Sequence, residues 1–349
     1  MKKILSICLA AAAFVGCTNT SVEFDTPDEI GFVVAAGNIT RAVVDGTTYP
    51  EGLNMMVYSW TDGASAVDYI DCGEFKHKTA VEGTEVWGGV TPYYWPNVKT
   101  LHFAGFSKSG SYTSEEYSVA NDKITIKGYN PGTGTALGAN DLMYFPSTKA
   151  TQAAGYGKAT KFVPVNMYHT CSWITFLVKG DDVTGAATST YKVTGLTITD
   201  VDNTADVVCG PCAAAADVKT AVVWSNNEAA NASYVVTLAN NLGTLTTTAI
   251  NVETAAEYVP ANGTTGNLVV IPQVPGKLDL SYQYTAPNGT TIITETVENI
   301  DLKIDADPDV NKWEPGMHYI YTITIKANEI LIAPTPVDWT DSDHNITIE

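Results

Sequence analysis

Eighteen of the 19 basic residues in this 349-residue chain are lysines, and the single arginine is Arg41, in the string GNITRAVVDG. An arginine-specific protease therefore has one target bond, Arg41–Ala42. Cutting it separates everything downstream from Cys17, 24 residues earlier. The plainer alternative is chance, since a lysine-biased composition can leave one arginine anywhere. Cys17 is the second chemically distinctive residue. Lys2 and Lys3 precede an apolar run from Ile4 to Val15, followed by Gly16 and Cys17. A basic start, a short apolar core and a small residue before the break describe an export signal. The run falls short of the roughly 20 apolar residues that cross a bilayer. A cysteine directly after the small residue predicts a lipoprotein signal: residues 1–16 are removed and Cys17 is acylated, with palmitate or a similar chain. An ordinary signal peptide cut elsewhere is the competing reading. Thr18 and Asn19 supply no acidic retention cue, so the expected destination is the outer membrane.

Other constellations imitate chemistry without completing it. Cys209-Gly210-Pro211-Cys212 has thiol–disulfide exchange spacing, which needs a partly exposed first cysteine of low pKa. Val207 and Val208 precede it and an alanine run follows, so a local Cys209–Cys212 disulfide or a surface loop is the expectation. Cys72 and Cys171 complete the unacylated cysteines outside the leader, and four allow three full pairings. Asp305, Asp307 and Asp309 alternate as in a calcium loop, but its sixth and twelfth positions are Val310 and Gly316 instead of glycine and glutamate. An acidic turn is expected. His77, His102, His169, His318 and His344 show no ligand spacing. No nucleophile elbow, phosphate loop or zinc signature is present, so no catalytic residue, metal or cofactor is predicted. A formal charge of −19 disfavours nucleic acid as a partner, because its backbone requires a basic surface.

The elements that would position these residues read as strands. The chain is rich in Thr, Val, Ile and Tyr, with 28 Gly and 16 Pro, a composition that favours pleated segments separated by turns. Alternating runs recur at 54–60, 101–106, 123–127, 173–178, 194–199, 234–238, 267–271, 278–284 and 319–326. Many short strands at this spacing predict antiparallel sheets rather than a parallel sheet with crossover helices. Residues 248–257 could form a short helix or a loop. A Gly/Ala/Thr/Ser-rich stretch at 132–157 suggests long loops around one strand, with a second domain starting near residue 161. Seven Trp and 18 Tyr are expected mainly in cores and turns, although exposed aromatics could stack on sugar rings.

Several further motifs occur in order along nearly the whole chain. They are Ile39-Thr40-Arg41-Ala42; Tyr93-Tyr94-Trp95-Pro96 followed by Leu101-His102-Phe103-Ala104-Gly105-Phe106; Asn140-Asp141-Leu142-Met143-Tyr144; VNMYHTCSWITFLVKG; Trp313; Pro315-Gly316; Tyr319-Ile320-Tyr321-Thr322-Ile323; and Val337-Asp338-Trp339-Thr340-Asp341. With the leader, they resemble the fimbrillin family, the subunits of lipoprotein-derived pili of anaerobic Gram-negative bacteria. The resemblance implies an all-β fold of two tandem antiparallel β-sandwich domains, transthyretin-like and Greek-key, with few short helices. It divides the chain into a propeptide at 17–41, sandwiches at 42–160 and 161–327, and a donor tail at 328–349. It also implies cleavage after Arg41 by an arginine-specific protease, loss of the first strand, and its replacement by the tail of a neighbouring copy or related fimbrial subunit. The rival is an uncleaved, lipid-anchored surface glycan-binding lipoprotein.

The residues permit such an exchange. Ile30, Phe32 and Val34 alternate and place three apolar side chains on one sheet face. Their full burial is worth on the order of 5–9 kcal/mol, comparable with a domain's net stability of about 5–15 kcal/mol. The tail offers three alternating pairs as replacements: Ile330 and Ile332, Val337 and Trp339, Ile346 and Ile348. Pro334 and Pro336 separate the first two. The competing expectation is that the tail completes its own sheet.

Overall fold

The computed structural model describes residues 29–36, 49–81, 84–97, 100–132, 140–151, 154–156, 162–180, 191–214, 217–226, 232–236, 238, 242, 245–246, 248–252, 255, 268–286, 288–305, 307, 311–325 and 330–338. Nine strands come first: β1 (Gly31–Ala36), β2 (Met55–Thr61), β3 (Ile70–Val81), β4 (Thr84–Gly89), β5 (Thr100–Ser107), β6 (Ser114–Ser118), β7 (Lys123–Tyr129), β8 (Met143–Thr151) and β9 (Val163–His169). Seven of them close into a barrel in the order β1-β4-β3-β2-β5-β8-β9. Every neighbouring pair is antiparallel except β1 with β9, which is parallel. Period-two alternation fills the interior with Phe32, Met55, Val57, Phe75, Trp87, Leu101, Phe103, Phe145 and Val165, all buried.

Two further sheets follow. One runs β15 (Ile250–Asn251), β10 (Ser172–Gly180), β19 (Met317–Ile325), β20 (Ile330–Asp338), with β16 (Leu268–Val270) also paired to β10. The other runs β14 (Ala232–Val236), β11 (Lys192–Val201), β17 (Lys277–Thr285), β18 (Ile292–Asp301). Ile174, Phe176, Tyr321 and Ile323 of the first share a core with Leu196, Ile198, Leu278 and Leu280 of the second. Trp313 seals this core, its Nε1 donating to Tyr321 Oη at 2.9 Å while that hydroxyl donates to Leu302 O at 3.0 Å.

The remaining sheet joins the two parts of the chain. Its order is β13 (Val222–Asn226), β12 (Ala205–Cys209), β7, β6, so a hairpin from the first part is extended by one from the second. Ile124, Ile126, Tyr129, Val207 and Cys209 form a core with Tyr58, Phe106, Tyr144 and Tyr168 of the barrel and Trp173 of β10. Consequently β10 is buried on both faces: Ile174, Phe176 and Val178 meet one core, and Trp173 the other.

The all-β expectation holds, and the described residues contain one short helix, α1 (Val218–Ala221). The expected pair of tandem sandwiches does not describe the first part, because β1 and β9 join its edges into a closed barrel. β9 does so from beyond residue 161. Of the two expectations for Cys209 and Cys212, a local disulfide or a surface loop, the structure has the loop, with both as free thiols. Cys209 ends β12 with its side chain in the shared core, while the turn carries Cys212 outward to donate to Ala214 O at 2.9 Å. Burial raises the pKa of both thiols, opposite to the depressed pKa that exchange chemistry requires. At the acidic turn, Asp305 Oδ1 accepts the Asp307 amide at 2.9 Å and Asn311 Oδ1 accepts the Ile304 amide at 2.8 Å, while Asp309 lies outside the described residues. His169 makes a buried hydrogen bond to Asp141 at the foot of the barrel.

A core spanning both parts makes them one cooperative unit. Calorimetry of the uncleaved chain should show a single transition, and Ile126→Ala should shift all of it, costing about 2–5 kcal/mol. Two separated melts in the wild type would show that the bridging sheet does not couple the parts.

Candidate functional site: the slot filled by the first strand

β1 is six residues long and has a partner along each side. On one side it runs antiparallel to β4, pairing Gly31 with Gly88 and Phe32 with Trp87. On the other it runs parallel to β9, from Phe32 opposite Val163 to Ala36 opposite Met167. The chain is anchored just before the strand by the Ile30 amide, which donates to Tyr93 O at 2.7 Å, and by a bridge between Glu29 and Tyr94. Ile30 and Phe32 are fully buried and Val34 nearly so.

Phe32 is the centre of an aromatic cluster. Its ring meets Phe75 at 5.1 Å and Phe103 at 5.2 Å between centroids, both edge to face, and Phe145 at 6.1 Å with the planes tilted. Edge-to-face rings add about 0.5–1.5 kcal/mol per pair beyond the area they bury. The outer face is covered as well. A Cβ on Gly31 would sit 2.7 Å from Phe162 Cδ1 and 3.2 Å from Val86 Cγ1, so the missing side chain lets Phe162 close over the strand. The slot is therefore walled by β4 and β9, floored by phenylalanines and capped by Phe162.

The opposite wall is braced by polar contacts. Glu74 on β3 accepts from Lys108 Nζ at 2.8 Å and from Asn54 Nδ2 at 2.6 Å, which holds its carboxyl below the usual range. Lys108 in turn donates its amide to Asn54 O at 2.7 Å. The start of β2, the middle of β3 and the end of β5 are thereby tied together.

The predicted site residues fall into three groups. Ile30, Phe32 and Val34 do share one face, inside the slot. Ile330 and Ile332 lie on β20, paired with Ile325 and Ile323 of the chain's own β19 and packed against its core, and Val337 stands opposite His318. Cys17, Arg41, Ala42, Trp339, Ile346 and Ile348 lie outside the described residues. Sequence reasoning missed the receiving residues Phe75, Phe103, Phe145 and Phe162. Phe103 and Phe145 stood in strand-like runs, but nothing local shows that both face one strand more than 60 residues upstream.

Removing the ring at the centre of the slot should cost more than trimming the strand's other face. In the uncleaved chain, Phe32→Ala should lower stability by about 3–5 kcal/mol in urea titration. Val33→Ala, at a half-buried position, should cost about 1 kcal/mol. Equal costs would mean that β1 is not held by its inward face.

A family model described as Fimbrillin-like matches residues 40–339. No curated protein sequence matches the chain. Among solved structures, a fimbrial protein from Bacteroides vulgatus is 15% identical with a TM-score of 0.52, the match covering 89% of this chain and 99% of that one. A protein assigned to cell adhesion from Bacteroides uniformis is 16% identical with a TM-score of 0.47, covering 91% and 99%. A fimbrial assembly protein from Parabacteroides distasonis is 11% identical with a TM-score of 0.39, covering 88% and 95%. At such identities the structural likeness concerns the fold alone, whereas the family model spans most of the sequence. The chain belongs to the fimbrillin-like family.

Proposed function

We propose that this protein is a structural subunit of a cell-surface fimbrium, exported through the periplasm as a lipoprotein acylated on Cys17, cut after Arg41 and polymerised by strand exchange. It has no catalytic role; its partners are copies of itself or related subunits, with an arginine-specific protease acting during maturation. The observation that carries this reading is β1 itself. A buried strand with partners on both sides ends at Ala36, five residues before the chain's single arginine. After a cut at Arg41, β1 is held by non-covalent contacts alone, and its departure opens a barrel with two unpaired edges and an apolar floor. Such an opening is a template for a strand from another chain. The family match begins at residue 40, beside the proposed cut.

The slot also favours one part of the tail as donor. A strand between two neighbours uses amides toward both sides, and proline has none to give. Pro334 and Pro336 therefore suit β20, the outer strand of its sheet, and do not suit the slot. Ile330 and Ile332 are already engaged with β19. The run at 339–349 contains no proline, and Ile346 and Ile348 alternate within it. Extended, its 11 residues reach roughly 36 Å at about 3.3 Å each, against roughly 20 Å for the six residues of β1. The last six residues could fill the slot while 339–343 span the gap between subunits.

Treatment of the purified precursor with an arginine-specific protease should give one product starting at Ala42, followed by a ladder of oligomers. Arg41→Ala should abolish both. Ile346→Pro should leave cleavage intact and stop the ladder. Polymers that form equally well with Arg41→Ala would remove the maturation step from the proposal. Polymers that survive Ile346→Pro would move the donor elsewhere in the tail.

A further inference from the structure

Three segments distant in sequence bring an imidazole and two carboxylates together on the barrel. Glu51 lies in the turn ahead of β2, His77 on β3 and Glu85 on β4. One ligand atom from each lies within 4.8 Å of the other two. Glu85 is in hydrogen-bond contact with His77 Nε2, and Glu51 Oε2 is 4.0 Å from Nδ1. Among the described residues, no lysine or arginine forms a salt bridge with either carboxylate.

The imidazole is held in place from below. The β3–β4 ladder sets His77 opposite Trp87, and the two rings meet edge to face with centroids 5.2 Å apart. Trp87 is buried and fixed in turn by Tyr49, edge-on at 5.5 Å, and by its Nε1, which donates to Leu53 O at 3.4 Å. The ligand set is thus mounted on a rigid aromatic platform, with its outer side open to water through the exposed Glu51.

Two carboxylates this close repel one another, and the chain's net charge of −19 adds to that cost. A cation between them removes it. One nitrogen and two oxygen ligands suit a divalent transition metal, whereas calcium and magnesium take oxygen ligands. We propose that Glu51, His77 and Glu85 bind a divalent transition-metal ion, zinc in the ordinary case, with water completing the coordination. One ring nitrogen of His77 ligates. The bound ion ties the β3–β4 hairpin to the segment leading into β2. Because Glu85 lies two residues from Trp87, the ladder partner of Phe32, that tie stiffens a wall of the β1 slot. The site stands independently of the assembly reading above.

Zinc chloride titrated into the tag-free full-length protein should give one saturable site by isothermal calorimetry, and should raise the melting temperature. His77→Ala and Glu85→Gln, checked for folding by circular dichroism, should each weaken that site by on the order of tenfold or more. His102→Ala should leave it unchanged, since His102 pairs with Asp62 at 3.0 Å elsewhere on the barrel. Calcium chloride should not compete. The proposal is overturned if the wild type shows no saturable zinc site, if folded His77→Ala and Glu85→Gln bind as the wild type does, or if calcium displaces zinc.

Discussion

The barrel depends on the seating of Phe32 among Phe75, Phe103 and Phe145. Six of its seven strands form a continuous antiparallel ribbon from β4 through β3, β2, β5 and β8 to β9. Its two ends never meet each other; β1 lies between them. The closing strand is antiparallel to one end and parallel to the other, so it is the place where an otherwise uniform ladder changes sense. Backbone pairing along six residues would hold such a strand weakly. The buried side chains of Ile30, Phe32 and Val34 make the closure firm, and without them both end strands expose free edges above an aromatic floor.

The interior that β1 fills and the core that joins the two parts of the chain are separate clusters. The sheet made by β6, β7, β12 and β13 presses on the barrel through Tyr58, Phe106 and Tyr144, and through Tyr168 near the end of β9. Trp173 and Val269 continue that core into the second part. A subunit that lost β1 would keep this second core and the sandwiched sheets beyond it. Disruption should be confined to the interior lined by Phe75, Phe103 and Val165. The residues that β1 buries and the residues that join the two parts thus belong to different cores.

Most of the architecture was legible locally. Each of the nine alternating runs coincides with a strand, from Met55–Thr61 to Met317–Ile325, and most have one face in a core, so that the period of two survives in the composition. The short strands β4, β6, β12, β13 and β15 were not read, nor were the long β3 and β18. β3 carries Asp71, Glu74, Lys76 and Lys78 among its apolar residues, and β18, at a sheet edge, buries almost nothing, so neither shows a clean alternation. Closure of the barrel was illegible for a different reason: it is a contact between residues 32–36 and 163–167, and no local pattern encodes it. The same holds for the sheet that pairs β7 with β12. The three apolar residues of the slot were readable as a face, whereas the ring cluster receiving them was not. The Glu51–His77–Glu85 grouping escaped because its members are 26 and 8 residues apart and meet only once β3 and β4 pair.

Each of the other sheets has an outer strand that is protected against pairing with a second chain. β20 is outermost in its sheet and carries Pro334 and Pro336, which remove two amide donors from any further pairing. β18 is outermost in the next and exposes Glu295, Glu298 and Asp301, so a second copy approaching edge to edge brings like charges together. β6 ends the bridging sheet with Glu115 and Glu116. Each of these edges offers a ladder on one side only. The space vacated by β1 would offer ladders on both sides and a floor of phenylalanines. A strand entering that space would form two backbone ladders in one step, whereas an outer strand such as β20, β18 or β6 supplies a single ladder.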